Sequence, residues 1–127
     1  YILNKLREFA TKNNKKLLVV IFDPYRVTTS LINEGTRYDQ EIVDYLEANK
    51  FSYFDMNLVH VKDYKNFNLD LKDYFKRYFI GHYSPAGNHF FAYSIKPTIV
   101  DWLRPKPITY RTDQQKEIDF KGYLEDH

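Results

Sequence analysis

Ile2, Leu3, Leu6, Phe9 and Ala10 recur at i, i+3 and i+4 in the first segment. That spacing gathers them on one face of an amphipathic helix, with Asn13-Asn14 marking its end. The pattern then changes. Residues 16–22 (KLLVVIF) read as a continuous apolar run behind one lysine, rich in branched side chains. Such a run is expected of a strand covered on both faces, as in a parallel sheet. Asp23-Pro24 closes it, because proline cannot continue a central ladder. A polar connection follows through Thr28-Thr29-Ser30 and Gly35. Tyr38, Ile42, Tyr45 and Leu46 then stripe a second helix that ends near Asn49-Lys50.

Residues 51–56 (FSYFDM) predict a second short strand. Between residues 57 and 77 apolar positions are scattered among charges, and only short helical turns are expected. Tyr78-Phe79-Ile80 predicts a brief last strand. Ser84 is a good N-cap, and Pro85 falls at the first helical position, where its missing N–H costs nothing. Phe91, Ile95, Ile99, Trp102 and Leu103 share one face of the helix that follows, which Pro97 is expected to kink or split. After Arg104-Pro105 the periodicity stops. Residues 105–127 read as a C-terminal extension packing on the domain or on a neighbour.

This order of elements predicts an α/β domain over residues 1–104, a three-layer, doubly wound, flavodoxin-like parallel sheet. Two good strands are few for such a sheet. A chain that opens at Tyr1 on a crossover helix is expected to be a piece of a longer protein, its sheet incomplete on the N-terminal side. In open α/β sheets, sites form beyond the carboxyl ends of strands. Asp23-Pro24-Tyr25-Arg26, Asp55-Met56-Asn57 and Gly81-His82 all fall there.

Composition narrows the chemistry. The 127 residues include no cysteine, which excludes disulfides, thiolate metal sites and a cysteine nucleophile. A net charge of +2 gives no electrostatic case for nucleic acid. No apolar run approaches the ~20 residues that span a bilayer. Neither nucleic acid nor membrane is therefore expected as a partner. The four histidines, His60, His82, His89 and His127, match no compact ligand motif, so no metal is expected. The four glycines are too dispersed for a phosphate loop, which argues against a nucleotide-binding flavodoxin-like domain and leaves no cofactor expected. Aromatic residues make 18% of the chain, with 12 tyrosines, suiting a polar-edged core and compatible with sugar stacking. An incomplete sheet leaves apolar faces open, so pairing with a missing half or self-association is expected.

One stretch carries chemistry. His82 follows Gly81 and precedes Ser84-Pro85, in a loop that a helix start can hold rigidly, which suits a general base. The run His82-Tyr83-Ser84-Pro85-Ala86-Gly87-Asn88, followed by Phe90-Phe91-Ala92, resembles the last motif block of the SGNH (GDSL) hydrolases. The element order from Lys16 to Leu103 resembles the C-terminal half of that family. The resemblance implies a serine hydrolase of simple or carbohydrate-linked carboxylic esters with His82 as general base, and it favours a periplasmic or secreted location. Two departures qualify it. The family's acid stands three residues before the histidine, where this chain has Phe79; Asp73, Asp70, Asp55 or a backbone carbonyl would have to substitute. The nucleophile block would lie upstream of Tyr1, since none of Ser30, Ser52, Ser84 and Ser94 sits in a glycine-flanked elbow. The resemblance thus implies a half without its nucleophile, and the alternative is a catalytically inactive binding or scaffolding domain. Arg26 is expected either to contact an anionic substrate group or, more simply, to pair with Glu34 or Asp39. Asn88 is expected to hydrogen-bond near His82 or to face water.

Overall fold

The two apolar runs lie side by side. In the computed structural model, which describes residues 1–104, β1 (Val19–Ile21) and β2 (Tyr53–Asp55) form a two-stranded parallel sheet. Val19 stands opposite Tyr53 and Ile21 opposite Asp55. Helix α1 (Ile2–Lys12) precedes the sheet. The crossover comprises a π-helical turn (Pro24–Thr28), α2 (Thr29–Asn33) and α3 (Gln40–Ala48). After β2 come α4 (Met56–Tyr64), α5 (Leu71–Tyr78) and α6 (Pro85–Leu103). The described residues are thus mixed α/β and mostly helical. None of their helices is long and apolar enough to cross a membrane. The extension predicted for residues 105–127 lies outside the described residues.

The helix stops read from asparagines have a definite geometry. Asn14 and Lys50 take positive φ values of 51° and 55°. After α1, the Asn14 and Lys15 amides bond back to the Thr11 and Ala10 carbonyls. After α3, the Lys50 and Phe51 amides bond to those of Glu47 and Leu46. Both ends are Schellman motifs, which satisfy the orphan carbonyls and turn the chain into a strand.

Several elements differ from expectation. Both strands are shorter than the runs that predicted them, and β1 is not covered on both faces, since Val20 remains 42% exposed. Two full helices replace the short turns expected over residues 57–77. Asp55 caps α4 by accepting the Asn57 N–H (2.9 Å), and Asp70 caps α5 by accepting that of Asp73 (2.7 Å). Tyr78-Phe79-Ile80 is not a strand. Tyr74 and Tyr78, like Phe75 and Phe79, sit four apart and are buried together, so helical burial wins over strand propensity. Phe79 enters only an isolated antiparallel bridge with Tyr83. Pro97 does not split α6. The carbonyl it leaves without a donor belongs to Tyr93, which is exposed, so water can serve it.

The core has an aromatic centre. Tyr74, Phe75, Tyr78 and Phe79 are buried, with Phe22, Tyr83 and Phe90 packed against them. Phe79 stacks on Tyr83 at 4.5 Å between centroids, and Tyr83 on Phe22 at 5.0 Å. By contrast, α1 shows its apolar residues Ile2, Leu6 and Phe9 to solvent. Polar contacts tie it down instead, with Asn4 accepting from the Tyr45 hydroxyl (2.8 Å) and Arg7 donating to the Asn49 carbonyl (2.9 Å).

At the carboxyl end of β2, Arg37 lies buried between Asp39 and Asp55. The hydrogen bonds it donates to Asp39 hold its guanidinium charged against the cost of burial, and the one it donates to Asp55 adds to them. Removing the cation leaves two carboxylates unpaired. Arg37→Gln is expected to lower the unfolding free energy by about 3 kcal/mol, read from urea denaturation at pH 7; a loss below ~0.5 kcal/mol would show the cluster to be as weak as a surface pair.

Candidate active site

The segment between α5 and α6 is built to reverse the chain tightly. After Tyr78 the backbone extends at Phe79, and Gly81 takes a φ of 94°, a conformation that side-chain-bearing residues rarely adopt. The Ile80 N–H bonds to the His82 carbonyl and the Ser84 N–H to the Tyr78 carbonyl, both at 2.8 Å. Ser84 then caps α6, its Oγ accepting the Gly87 N–H at 3.1 Å. Gly87 has a different reason from Gly81. A Cβ there would overlap the Tyr78 carbonyl oxygen and the Tyr83 ring, so only glycine lets α6 close onto the turn.

His82 projects from this turn and is exposed. Its Nδ1 lies 2.8 Å from the carbonyl oxygen of Tyr83. A carbonyl only accepts, so Nδ1 carries the proton and Nε2 keeps its lone pair, directed away from the anchoring bond. A neutral imidazole held this way can take a proton at Nε2. No carboxylate bonds to it among the described residues.

The other predicted site residues are employed elsewhere. Asp55 is spent on Arg37 and on capping α4. Asp73 is exposed and pairs with Lys76 on the next turn of α5. Phe79, three residues before His82, is buried in the aromatic core. Arg26 does form an ion pair, but with Asp23 (3.1 Å) rather than with Glu34 or Asp39, and it stacks over the Tyr38 ring. Burial raises the Asp23 carboxyl, and bonds from the Tyr38 hydroxyl and from Arg26 outweigh it, leaving it below the usual range. Asn88 is exposed in the first turn of α6. Ser84 is committed as a cap. Of these residues, only His82 and its cap loop are brought together. No three acidic or histidine side chains among the described residues are placed to hold a metal.

Sequence reasoning missed the buried polar network beneath this turn. His60, on α4, is fully buried. Its Nδ1 meets the Tyr74 hydroxyl at 2.9 Å and its Nε2 the Tyr83 hydroxyl at 2.8 Å. Asp63 Oδ2 receives the hydroxyls of Tyr74 (3.0 Å) and Tyr78 (2.8 Å). The proton directions follow. A carboxylate needs donors, so Tyr74 and Tyr78 donate to Asp63; Tyr74 must then accept from His60 Nδ1–H, and His60 Nε2 accepts from Tyr83. Burial pushes the His60 imidazole down to about 4, against the opposing pull of Asp63. Burial also raises the Tyr74 and Tyr83 hydroxyls, keeping both protonated. The available signal was the recurrence of Tyr74 and Tyr78 at i+4 and of Asp63 three residues after His60 on a helix.

Asn57, also fully buried, accepts from the Asp23 N–H (2.8 Å) and the Thr28 hydroxyl (3.0 Å), tying β2's end to the π-helical turn. Its Nδ2 has no partner among the described residues. Compared with family models, curated proteins and solved structures, the chain matches none.

Because His60 is neutral when folded and binds a proton near 6.5 when unfolded, the unfolded state gains protons first on acidification. The stability contributed by a neutral His60 is fully present above about pH 6.5 and is lost as pH falls toward 4. The loss across that window is expected to be ~3 kcal/mol, measured by denaturant unfolding at stepped pH. A flat profile between pH 6.5 and 5 would contradict a buried neutral His60. Gly87→Ala is expected to cost about 1–3 kcal/mol by overpacking and to change the near-ultraviolet circular dichroism of the Tyr83 environment.

Proposed function

We propose that this chain is the C-terminal part of an SGNH-type ester hydrolase, with His82 as its general base. The observation that carries the reading is His82 itself, held through Nδ1 by the Tyr83 carbonyl with Nε2 open. In the proposed reaction Nε2 takes the proton of a serine hydroxyl as that oxygen attacks the ester carbonyl. It returns the proton to the departing alkoxide, and water repeats the cycle on the acyl-enzyme. The serine belongs to a segment outside Tyr1–His127, completing a three-layer, doubly wound sheet on the open side of β1 and β2. Exposed Val20, Ile2, Leu6 and Phe9 support such a partner half, and self-association is the other way to cover them. The substrate class is a carboxylic ester, simple or carbohydrate-linked.

The Tyr83 carbonyl supplies one part of the acid's job, fixing the tautomer. It does not supply the negative charge that stabilises an imidazolium. Phe79 favours a second reading, an inactive binding domain, since the position of the acid is filled by a core ring. Placing aspartate there would bury a carboxylate among Phe22, Phe75 and Tyr83, so Phe79→Asp tests folding before it tests catalysis.

A fluorophosphonate probe followed by intact-mass analysis separates the readings. The chain alone is expected to give no adduct and no turnover of p-nitrophenyl acetate. Joined to its serine-bearing half, it is expected to give one adduct and turnover that falls at least about a thousand-fold in His82→Ala. Turnover in the joined protein that is indifferent to His82→Ala would overturn the assignment. No turnover at all would leave the inactive binding domain as the function.

A further inference from the structure

A cleft of about 420 Å³ opens between the π-helical turn, the start of α2 and one face of α5. Its size falls within the range of small-molecule sites, roughly 300–1,000 Å³. Of the residues of the His82 turn, Phe79 alone lines it. Phe75 and Phe79 form an apolar surface, and the Tyr25 ring leans across both at 5.9 and 5.6 Å between centroids. Leu71 extends the apolar wall along α5.

The charge lining this cleft has one sign. Lys72 and Lys76, a helical turn apart on α5, are the only charged residues that line it among the described residues. Lys76 shares its charge with Asp73, which does not line the cleft, whereas Lys72 makes no ion pair among the described residues. Thr29, on the opposite wall, adds a hydroxyl that bonds to no other side chain among the described residues. Aromatic and aliphatic walls under a cationic rim fit a ligand with an apolar body and one anionic head. A neutral ligand of the same shape would leave both ammonium groups hydrated and gain nothing from them.

We propose that this cleft binds a small amphipathic carboxylate, with the hydrocarbon against Phe75, Phe79 and Tyr25 and the carboxylate toward Lys72 and Lys76. This site needs neither a serine nucleophile nor His82, and it stands whether or not the chain belongs to an ester hydrolase.

The test titrates the purified chain with octanoate and, separately, octanol, following backbone amide shifts by two-dimensional NMR. Octanoate is expected to shift the amides of Tyr25, Thr29, Lys72 and Phe79, to bind at least tenfold more tightly than octanol, and to weaken as salt rises. Lys72→Glu, an exposed substitution, is expected to weaken octanoate at least tenfold with octanol unchanged. Tyr25→Ala, at a residue 54% exposed and so safe for folding, is expected to weaken both ligands. Equal affinity for octanol and octanoate, shifts confined to other surfaces, or no saturable binding up to millimolar octanoate would each overturn the proposal.

Discussion

Everything around the α5–α6 turn depends on one buried histidine remaining neutral. His60 joins three segments that are distant in sequence: its own helix α4, Tyr74 on α5 and Tyr83 in the turn. Each of its nitrogens has one partner, and the Asp63 carboxylate closes the network by collecting Tyr74 and Tyr78. In a low-dielectric interior an unsatisfied member would be costly, so the set holds as a unit or not at all. Protonating His60 would place two donors where one donor and one acceptor are needed, and Tyr83 would lose its acceptor.

The consequence reaches the surface through a single residue. Tyr83 is held at its hydroxyl by His60, at its ring by Phe22 and Phe79, and from below by the bare backbone of Gly87. Its carbonyl in turn holds Nδ1 of His82. A buried, proton-free histidine therefore orients an exposed one. Polar groups at the strand ends do similar structural work, with Arg37 clasping Asp39 and Asp55, and Asn57 joining β2 to the π-helical turn. They account for why the acidic residues at those ends are not available to His82.

Much of the frame was legible in the sequence, for local reasons. The parallel pair followed from two apolar runs separated by a helical stripe, and the helix stops from asparagine and lysine at positions that take positive φ. The cap of α6 followed from Ser84-Pro85. What escaped was set by tertiary context. The helices over residues 57–78 bury tyrosine and histidine beside Phe75, and the polar atoms of those rings are satisfied by one another and by Asp63, so a hydropathy pattern cannot reveal them. The same ambiguity turned Tyr78-Phe79-Ile80 into an expected strand. His82 was recognisable from its flanking glycine and cap, but the carbonyl that holds its ring belongs to backbone geometry, and the use of Asp55 by Arg37 depends on a contact between residues 18 apart in sequence.

His60, held neutral, fixes the tautomer and place of its neighbours. Long-range ¹H–¹⁵N correlation of the histidine side chains, followed from pH 8 downward, addresses it directly. His60 is expected to keep a protonated Nδ1 and a bare Nε2 down to about pH 4, and His82 at pH 8 to show the same Nδ1–H tautomer. A His60 that takes up its proton near 6.5, or that carries its neutral proton on Nε2, would contradict it.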